Sequence, residues 1–209
     1  MSRRATLAAL AVLILAAAVP IAVLDTAPRV SADEPGAFGF APGELVSDFR
    51  WKAVDGRRGR LSAMLRENRA VVVVMRTVEC PVSQRYGHRL AALEEAYAGQ
   101  GVAFLYLDVS PQDTEEMIHA DAGKFGFAGP YVADPEGKIG TLLQAKVSTE
   151  VFVIDAAGTL RYRGAVDDQF GITFSNPVMR EDWLRAALDD VLAGRPVRVS
   201  ETEASGCYL

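Results

Sequence analysis

Residues 71–86 read Val-Val-Val-Val-Met-Arg-Thr-Val-Glu-Cys-Pro-Val-Ser-Gln-Arg-Tyr. The opening β-branched run, Val71 to Met75, predicts a central strand buried on both faces. From Pro81 to about Gly101 the apolar residues Val82, Tyr86, Leu90, Leu93 and Tyr97 recur every three or four positions, one stripe of a helix. Pro81 suits the first helical position, where a backbone N–H would have had no partner. Strand, short turn and helix thus follow one another, with Cys80 at the expected N-cap.

The same reading extends in both directions. Asp48 to Leu65 predicts a short hairpin around Asp55-Gly56 and then a helical turn. Val102–Leu107 predicts a second buried strand, 113–124 a second helix, 130–133 a short strand and 137–145 a short helix. Val151–Ile154 and Leu160–Tyr162 flank the turn Ala156-Ala-Gly158 as an antiparallel hairpin. A last helix is expected from about Met179 to Leu192, with Trp183, Leu184, Ala187, Leu188, Val191 and Leu192 on one face and Gly194 and Pro196 to stop it. Parallel strands joined by helices and closed by a hairpin and a terminal helix predict an α/β fold. It resembles the thioredoxin-like three-layer sandwich, a central mixed sheet flanked by helices.

The ends read differently from the middle. A basic start with Arg3 and Arg4 precedes an apolar run over residues 5–24, and Val30-Ser31-Ala32 offers small residues for cleavage before Asp33. Residues 1–32 are therefore read as a signal peptide or an N-terminal anchor, the latter a membrane tether through 5–24. Either reading exports the remainder to a periplasmic or other extracytoplasmic space, free or held at the inner membrane. Residues 33–45, rich in Pro, Gly and acid, read as a linker. Residues 46–195 form the expected domain, and 196–209 a polar tail carrying Cys207. Net charge is −5, and without residues 1–32 the balance is 19 basic against 26 acidic side chains. No basic cluster interleaved with aromatics occurs, so nucleic acid is not an expected partner.

Cys80 and Cys207 are the only cysteines of the chain. At a helix N-cap the unpaired first-turn amides favour a thiolate, the species that attacks disulfides and peroxides. Arg76 and Arg85 would add to that effect and Glu79 would oppose it. Ser83 stands where a Cys-x-x-Cys beginning at Cys80 would place its second thiol, so a redox cycle needs Cys207 or a partner. Cys207 has several readings: a resolving thiol on a tail that swings over the site, a static bridge to Cys80, a link to another chain, or a free thiol. As a static bridge it would contribute about 4–5 kcal/mol in the chain-entropy model. Asp167-Asp168 reads as a solvated loop pair. His88 and His119 read as surface residues rather than metal ligands, and neither a metal nor another cofactor is expected.

The segment Thr77-Val-Glu-Cys80-Pro81 after a strand resembles the active-site segment of the peroxiredoxin side of the thioredoxin superfamily, the alkyl hydroperoxide reductase/thiol-specific antioxidant and redoxin families. Those families carry Thr-x-x-Cys where thioredoxins carry Cys-x-x-Cys. The resemblance spans about residues 43–209, and Arg161-Tyr-Arg-Gly164, Leu184-Arg-Ala-Ala-Leu188 and Gly206-Cys207 are similar to a redoxin-like subgroup with a Gly-Cys tail. It implies Cys80 as redox nucleophile, Thr77 as hydrogen-bond partner of its thiolate and Cys207 as a resolving cysteine. It also implies a peroxide or protein disulfide as substrate and an external thiol or dithiol as reductant. The chain departs from the families at Val73, where peroxiredoxins have Pro, and at Thr149, where they have a peroxide-activating Arg and thioredoxins a cis-Pro. Arg85 and Arg163 are the candidates to replace that Arg. The alternative function is a non-catalytic thioredoxin-fold module for binding or copper delivery; oligomeric state is not legible.

Overall fold

The computed structural model describes residues 40–209, and the expected signal or anchor lies outside the described residues. Helices α1 (Leu61–Glu67), α2 (Pro81–Ala98), α3 (Glu115–Phe125), α4 (Lys138–Leu142) and α5 (Trp183–Leu192) accompany strands β1 (Arg50–Lys52), β2 (Arg58–Arg60), β3 (Ala70–Arg76), β4 (Val102–Asp108), β5 (Tyr131–Ala133), β6 (Val151–Asp155) and β7 (Leu160–Gly164). No described helix is long and apolar enough to cross a membrane.

The main sheet runs β5-β4-β3-β6-β7, with β3, β4 and β5 parallel and β6 and β7 antiparallel to their neighbours. β1 and β2 make a separate hairpin. Alternation along β3 divides the core in two. Val72 and Val74 face Val82, Tyr86, Leu90, Leu93 and Tyr97 of α2 and Leu184 and Leu188 of α5. Val71, Val73 and Met75 face Leu61 and Leu65 of α1 and Ile139 of α4. Every residue of β3 is buried, as a central strand covered on both faces must be. The sequence-predicted α/β sandwich, a mixed sheet between two helical layers, is therefore the observed fold.

Two local expectations differ. α5 starts at Trp183 rather than Met179, because residues 179–182 are occupied elsewhere. The Asp168 carboxylate accepts the N–H groups of Arg180 and Glu181, and Arg89 donates to the Met179 sulfur and the Asp182 carboxylate. Asp167 is buried, not solvated: its Oδ1 accepts from the Tyr86 hydroxyl at 2.8 Å and from the Gln169 N–H.

Beyond α5 the chain is fastened at several points. Asp190 accepts from Arg195 and Arg198. Residues 200–202 then pair with the outer edge of β7: Arg163 N–H donates to Ser200 O, and Thr202 N–H to Arg163 O. Gly164, at φ +138°, is the closest approach, since a Cβ there would run into the hydroxyl and backbone of Thr202. The tail is led along this edge toward the end of the sheet where β3 gives way to Cys80.

Candidate active site

Parallel strands leave their loops at their C-terminal ends, where ligand crevices of open α/β sheets form. Because β6 is antiparallel to β3, the segment preceding β6 arrives at that same end, where Met75 N–H donates to Glu150 O. Three segments therefore meet there: Thr77–Cys80 after β3, residues 146–149 before β6, and the tail.

Cys80 is the N-cap of α2 with Pro81 at N1, and only 2 % of it is exposed. The tail brings Cys207 to it, sulfur to sulfur at 2.9 Å, with both thiols free. A disulfide, whose sulfurs lie about 2.05 Å apart, would form from this position by a small closure of the two sulfurs once a two-electron oxidant takes the electrons. The tail is seated by backbone pairing. Ser148 N–H donates to Cys207 O at 2.9 Å, Cys207 N–H to the Ser148 hydroxyl at 3.1 Å, and Leu209 N–H to Lys146 O at 3.2 Å. Thr149 anchors Ser205, two residues before Cys207, by donating its hydroxyl to Ser205 O at 2.8 Å. Gly206 allows the approach: a Cβ there would lie 2.9 Å from Thr149 Oγ1 and 3.2 Å from Ser148 Oγ. Cys207 itself remains exposed.

Burial pushes the Cys80 thiol up, but hydrogen bonds from the Cys207 thiol, the Ser148 hydroxyl and the Ser83 and Cys207 amides outweigh it. The net effect brings Cys80 down from its ordinary value to about 7. Cys80 makes no capping hydrogen bond of ordinary geometry, so the Ser83 amide acts as a favourable neighbour rather than as a formal cap. Cys207 moves the opposite way, raised first by its hydrogen bond to Cys80 and then by burial. The two thiols are thus shifted in opposite directions, and of the pair Cys80 is the one that ionises first. Replacing Ser148 by Ala removes one donor to Cys80, and the pH midpoint for alkylation of Cys80 is expected to rise from about 7 toward that of an ordinary cysteine. Site-resolved iodoacetamide labelling across pH 5–10 reads this shift, and an unmoved midpoint contradicts the role given to Ser148.

Thr77 is half-buried and shapes the loop through its backbone: its carbonyl accepts from Cys80 N–H and its N–H donates to the Ser83 hydroxyl, both at 3.4 Å. The side-chain hydrogen bond to the Cys80 sulfur comes from Cys207 and not from the Thr77 hydroxyl. Ser83, far from being only a missing cysteine, also donates to Ser148 O at 3.1 Å and ties α2 to the segment before β6. Ser83 was marked by its spacing from Cys80, whereas Ser148 was not distinguishable in sequence, because a serine distant along the chain has no periodicity to mark it.

The arginines fall as follows. Arg76 is fully buried, with Nη2 on Asp121 at 2.8 Å, Nη1 on Ser83 O at 2.9 Å and Nε on the Tyr131 hydroxyl at 3.2 Å. Arg163 is equally enclosed by Glu150, Phe40 O and Gln144 O. Arg85 is exposed on α2. Arg76 and Arg163 are committed to structural partners and do not bond the sulfur. His88 packs on Phe125, and no group of three His, Cys, Asp or Glu residues with metal-binding geometry occurs among the described residues. A cavity of about 300 Å³ opens beside the thiols, bounded by Thr77, Glu79 and Cys80 on one side, Val109 to Gln112 on another and Cys207 to Leu209 on the third.

Comparison with known proteins gives three results. A search of curated proteins returned no match. Among solved structures, a hypothetical protein from Sinorhizobium meliloti is 25% identical with a TM-score of 0.74, covering 81% of this chain and 94% of its own. An uncharacterized conserved protein from Geobacillus kaustophilus is 27% identical, again with a TM-score of 0.74, over 81% of this chain and 91% of its own. A peroxidoxin from Mycobacterium tuberculosis shares the fold at 18% identity and a TM-score of 0.54, over 73% and 94% of the two chains. The model of the AhpC/TSA family matches residues 42–163. This span carries β3, the Cys80 turn and the Ser148 segment, and with the observed fold it makes the chain a member of the AhpC/TSA family, whose proteins are thiol-dependent oxidoreductases or peroxidases.

Proposed function

We propose that this protein is an exported thiol–disulfide oxidoreductase in which Cys80 is the nucleophile and Cys207 the resolving thiol. The 2.9 Å approach of the two sulfurs, one on a helix N-cap and one on a backbone-paired tail, carries the reading. The Cys80 thiolate attacks one sulfur of a substrate disulfide, forming a mixed disulfide and releasing the other sulfur as a thiolate, which takes up a proton. Cys207 then loses its proton, attacks the Cys80 sulfur and expels the second substrate thiolate. Two electrons have passed to the substrate, and the protein holds a Cys80–Cys207 bridge. An external dithiol reverses the change.

The reading favours disulfides over peroxides because Arg76 and Arg163, the buried arginines of this end of the sheet, are engaged by Asp121 and Glu150. The depressed Cys80 thiol makes a good leaving group when the bridge is reduced. Exposed Cys207 offers the sulfur that a bulky dithiol can reach. Thr77 serves by ordering the Cys80 loop and lining the cavity. Export rests on the basic start, the apolar run over residues 5–24 and the small residues before Asp33.

Cys207→Ser tests the division of labour. The variant is expected to accumulate a mixed disulfide on Cys80 with a glutathione-type or peptide disulfide, seen as a single adduct by mass spectrometry, and to lose multiple turnover. A variant that turns over as fast as wild type removes Cys207 from the cycle. A Cys80 no more reactive than free cysteine favours the non-catalytic binding module instead.

A further inference from the structure

A second and larger cavity, of about 740 Å³, adjoins the tail just before Cys207. Buried Val147 and Glu150 line it from the segment before β6 and the start of that strand's approach, residues 201–206 from the tail, and Ile172 and Phe174 from a turn between β7 and α5. Its size falls in the range of clefts that hold organic ligands, about 300–1,000 Å³. Of the seven large hydrophobic side chains that the described residues expose, three line this one cavity: Ile172 is 60 % exposed, Phe174 44 % and Tyr208 89 %. Scattered exposed apolar residues are ordinary, whereas a group around one concave surface marks a place that something covers. Tyr208 also lines the cavity beside Cys80 and Cys207, so the two spaces adjoin along the tail.

The turn that displays Ile172 and Phe174 is held from behind. Gly171 N–H donates to Phe174 O at 3.0 Å, Asn176 N–H to Gln169 O at 2.8 Å and Asn176 Nδ2 to Asp168 O at 2.6 Å. Phe170 lies edge-on to Tyr86 of α2, whose hydroxyl accepts the Phe170 N–H at 3.2 Å. Gly171 is required where it stands, because a Cβ there would run into the Phe174 ring. A turn so fixed cannot bury Ile172 by closing on itself. Ile172 N–H reaches across to the Ser205 hydroxyl at 3.2 Å, which joins turn and tail as one surface. The tail wall is held in turn by Arg163 O at the Thr202 N–H and by the Thr149 hydroxyl at Ser205 O, so its seat does not depend on the Cys207 pairing.

The polar groups of the cavity sort by what they already do. Glu150 is neutralised by Arg163 and also accepts the Lys146 N–H. The Thr202 hydroxyl is bonded to Tyr162 and Ala165, and the Ser205 hydroxyl to Ile172. That leaves Glu201, Glu203 and Lys146 as the charges turned to solvent. Glu203 has no ion-pair partner among the described residues, and Glu201 has only a 3.9 Å approach to Arg163, which Glu150 holds at closer range. The balance is acidic, on a chain whose net charge is −5. We infer that this cavity binds the polypeptide flank of the substrate disulfide, a segment carrying an apolar side chain for Ile172 and Phe174 and a lysine or arginine for Glu203. The inference rests on Cys80 and Cys207 as the exchanging pair, and it makes the substrate a protein or peptide cystine rather than a small disulfide. The segment reaches the thiols past Tyr208, which borders both spaces. Apolar burial supplies its affinity, and opposite charge selects it from other segments.

Short linear peptides with alanine in place of cysteine, titrated calorimetrically into the full reduced chain, read binding with no thiol exchange. A peptide with leucine and lysine flanking that alanine should bind on the order of tenfold more tightly than its leucine/glutamate or serine/lysine counterparts. Glu203→Lys should reverse the preference between lysine and glutamate, and Ile172→Ser should remove most of the preference for leucine. Both side chains are exposed, and a melting curve checks that each variant folds. The corresponding cystine peptides then give kcat/KM, each divided by that of a small neutral aromatic disulfide, which has no flank. This ratio should follow the same order. Equal binding of the peptides, or an order that Glu203→Lys does not move, overturns the inference. So does a binding order with no matching order in the ratios, because the bound segment is then no substrate flank. A wild-type dimer in sedimentation that Ile172→Ser dissociates assigns the cavity to a second copy and also overturns it. A wild type that reduces none of the disulfides, the small one included, refutes the Cys80 exchange; the binding order needs no redox step and still decides the cavity.

Discussion

Cys80→Ser is expected to abolish disulfide reduction, lowering turnover by at least about a thousandfold. The attacking atom must be ionised near neutrality. A serine hydroxyl is not, even with the donors that bring the Cys80 thiol to about 7. Fold and tail should survive, because Ser148 still pairs with Cys207 through the backbone and the hydroxyl is smaller than the sulfur it replaces. Steady-state assay with a small aromatic disulfide, alongside a melting curve, separates lost chemistry from lost structure. Retention of even a tenth of wild-type turnover in a folded variant contradicts the role of Cys80.

The second large effect concerns stability. Asp121→Ala leaves the fully buried Arg76 guanidinium without its carboxylate and removes an acceptor from Gln84. Breaking a buried pair from one side costs about 3–5 kcal/mol, which lowers the melting temperature by something on the order of 10 °C in a chain of this size. The loss reaches the site, because Gln84 Nε2 also donates to Val78 O and Arg76 Nη1 to Ser83 O. Arg76→Met combined with Asp121→Leu should recover part of the stability, since an apolar pair leaves no uncompensated charge. Equal destabilisation in the single and double variants would show that Asp121 acts only through packing.

The sequence was most legible where one period dominated. The run Val71 to Met75 gave β3 within a residue at each end, and the stripe from Val82 to Tyr97 gave the buried face of α2. Cys80 was legible for a local reason, Pro81 after a strand. The start of α5 was less so: Met179 continues a helical pattern, but Asp168 and Arg89, remote in sequence, claim residues 179–182. Asp167 looked solvated beside Asp168 until Tyr86 supplied a buried donor. Ser148 owes its place to β6 beginning at the edge of the sheet where β3 ends. That proximity is a product of topology and leaves no mark on local composition. The tail was visible as a polar segment with a cysteine, while its path along Arg163 and Gly164 depended on pairing that no periodicity announces.

The most direct test of the Cys80–Cys207 pair is a redox titration of the purified protein in dithiol/disulfide buffers at pH 7, with the cysteines mapped by mass spectrometry at each potential. The pair described here predicts one two-electron transition, about 30 mV per tenfold change in the oxidised-to-reduced ratio. The oxidised species would be an intramolecular Cys80–Cys207 bridge. Two independent thiols that form only mixed disulfides with the buffer, with no Cys80–Cys207 peptide at any potential, would contradict it.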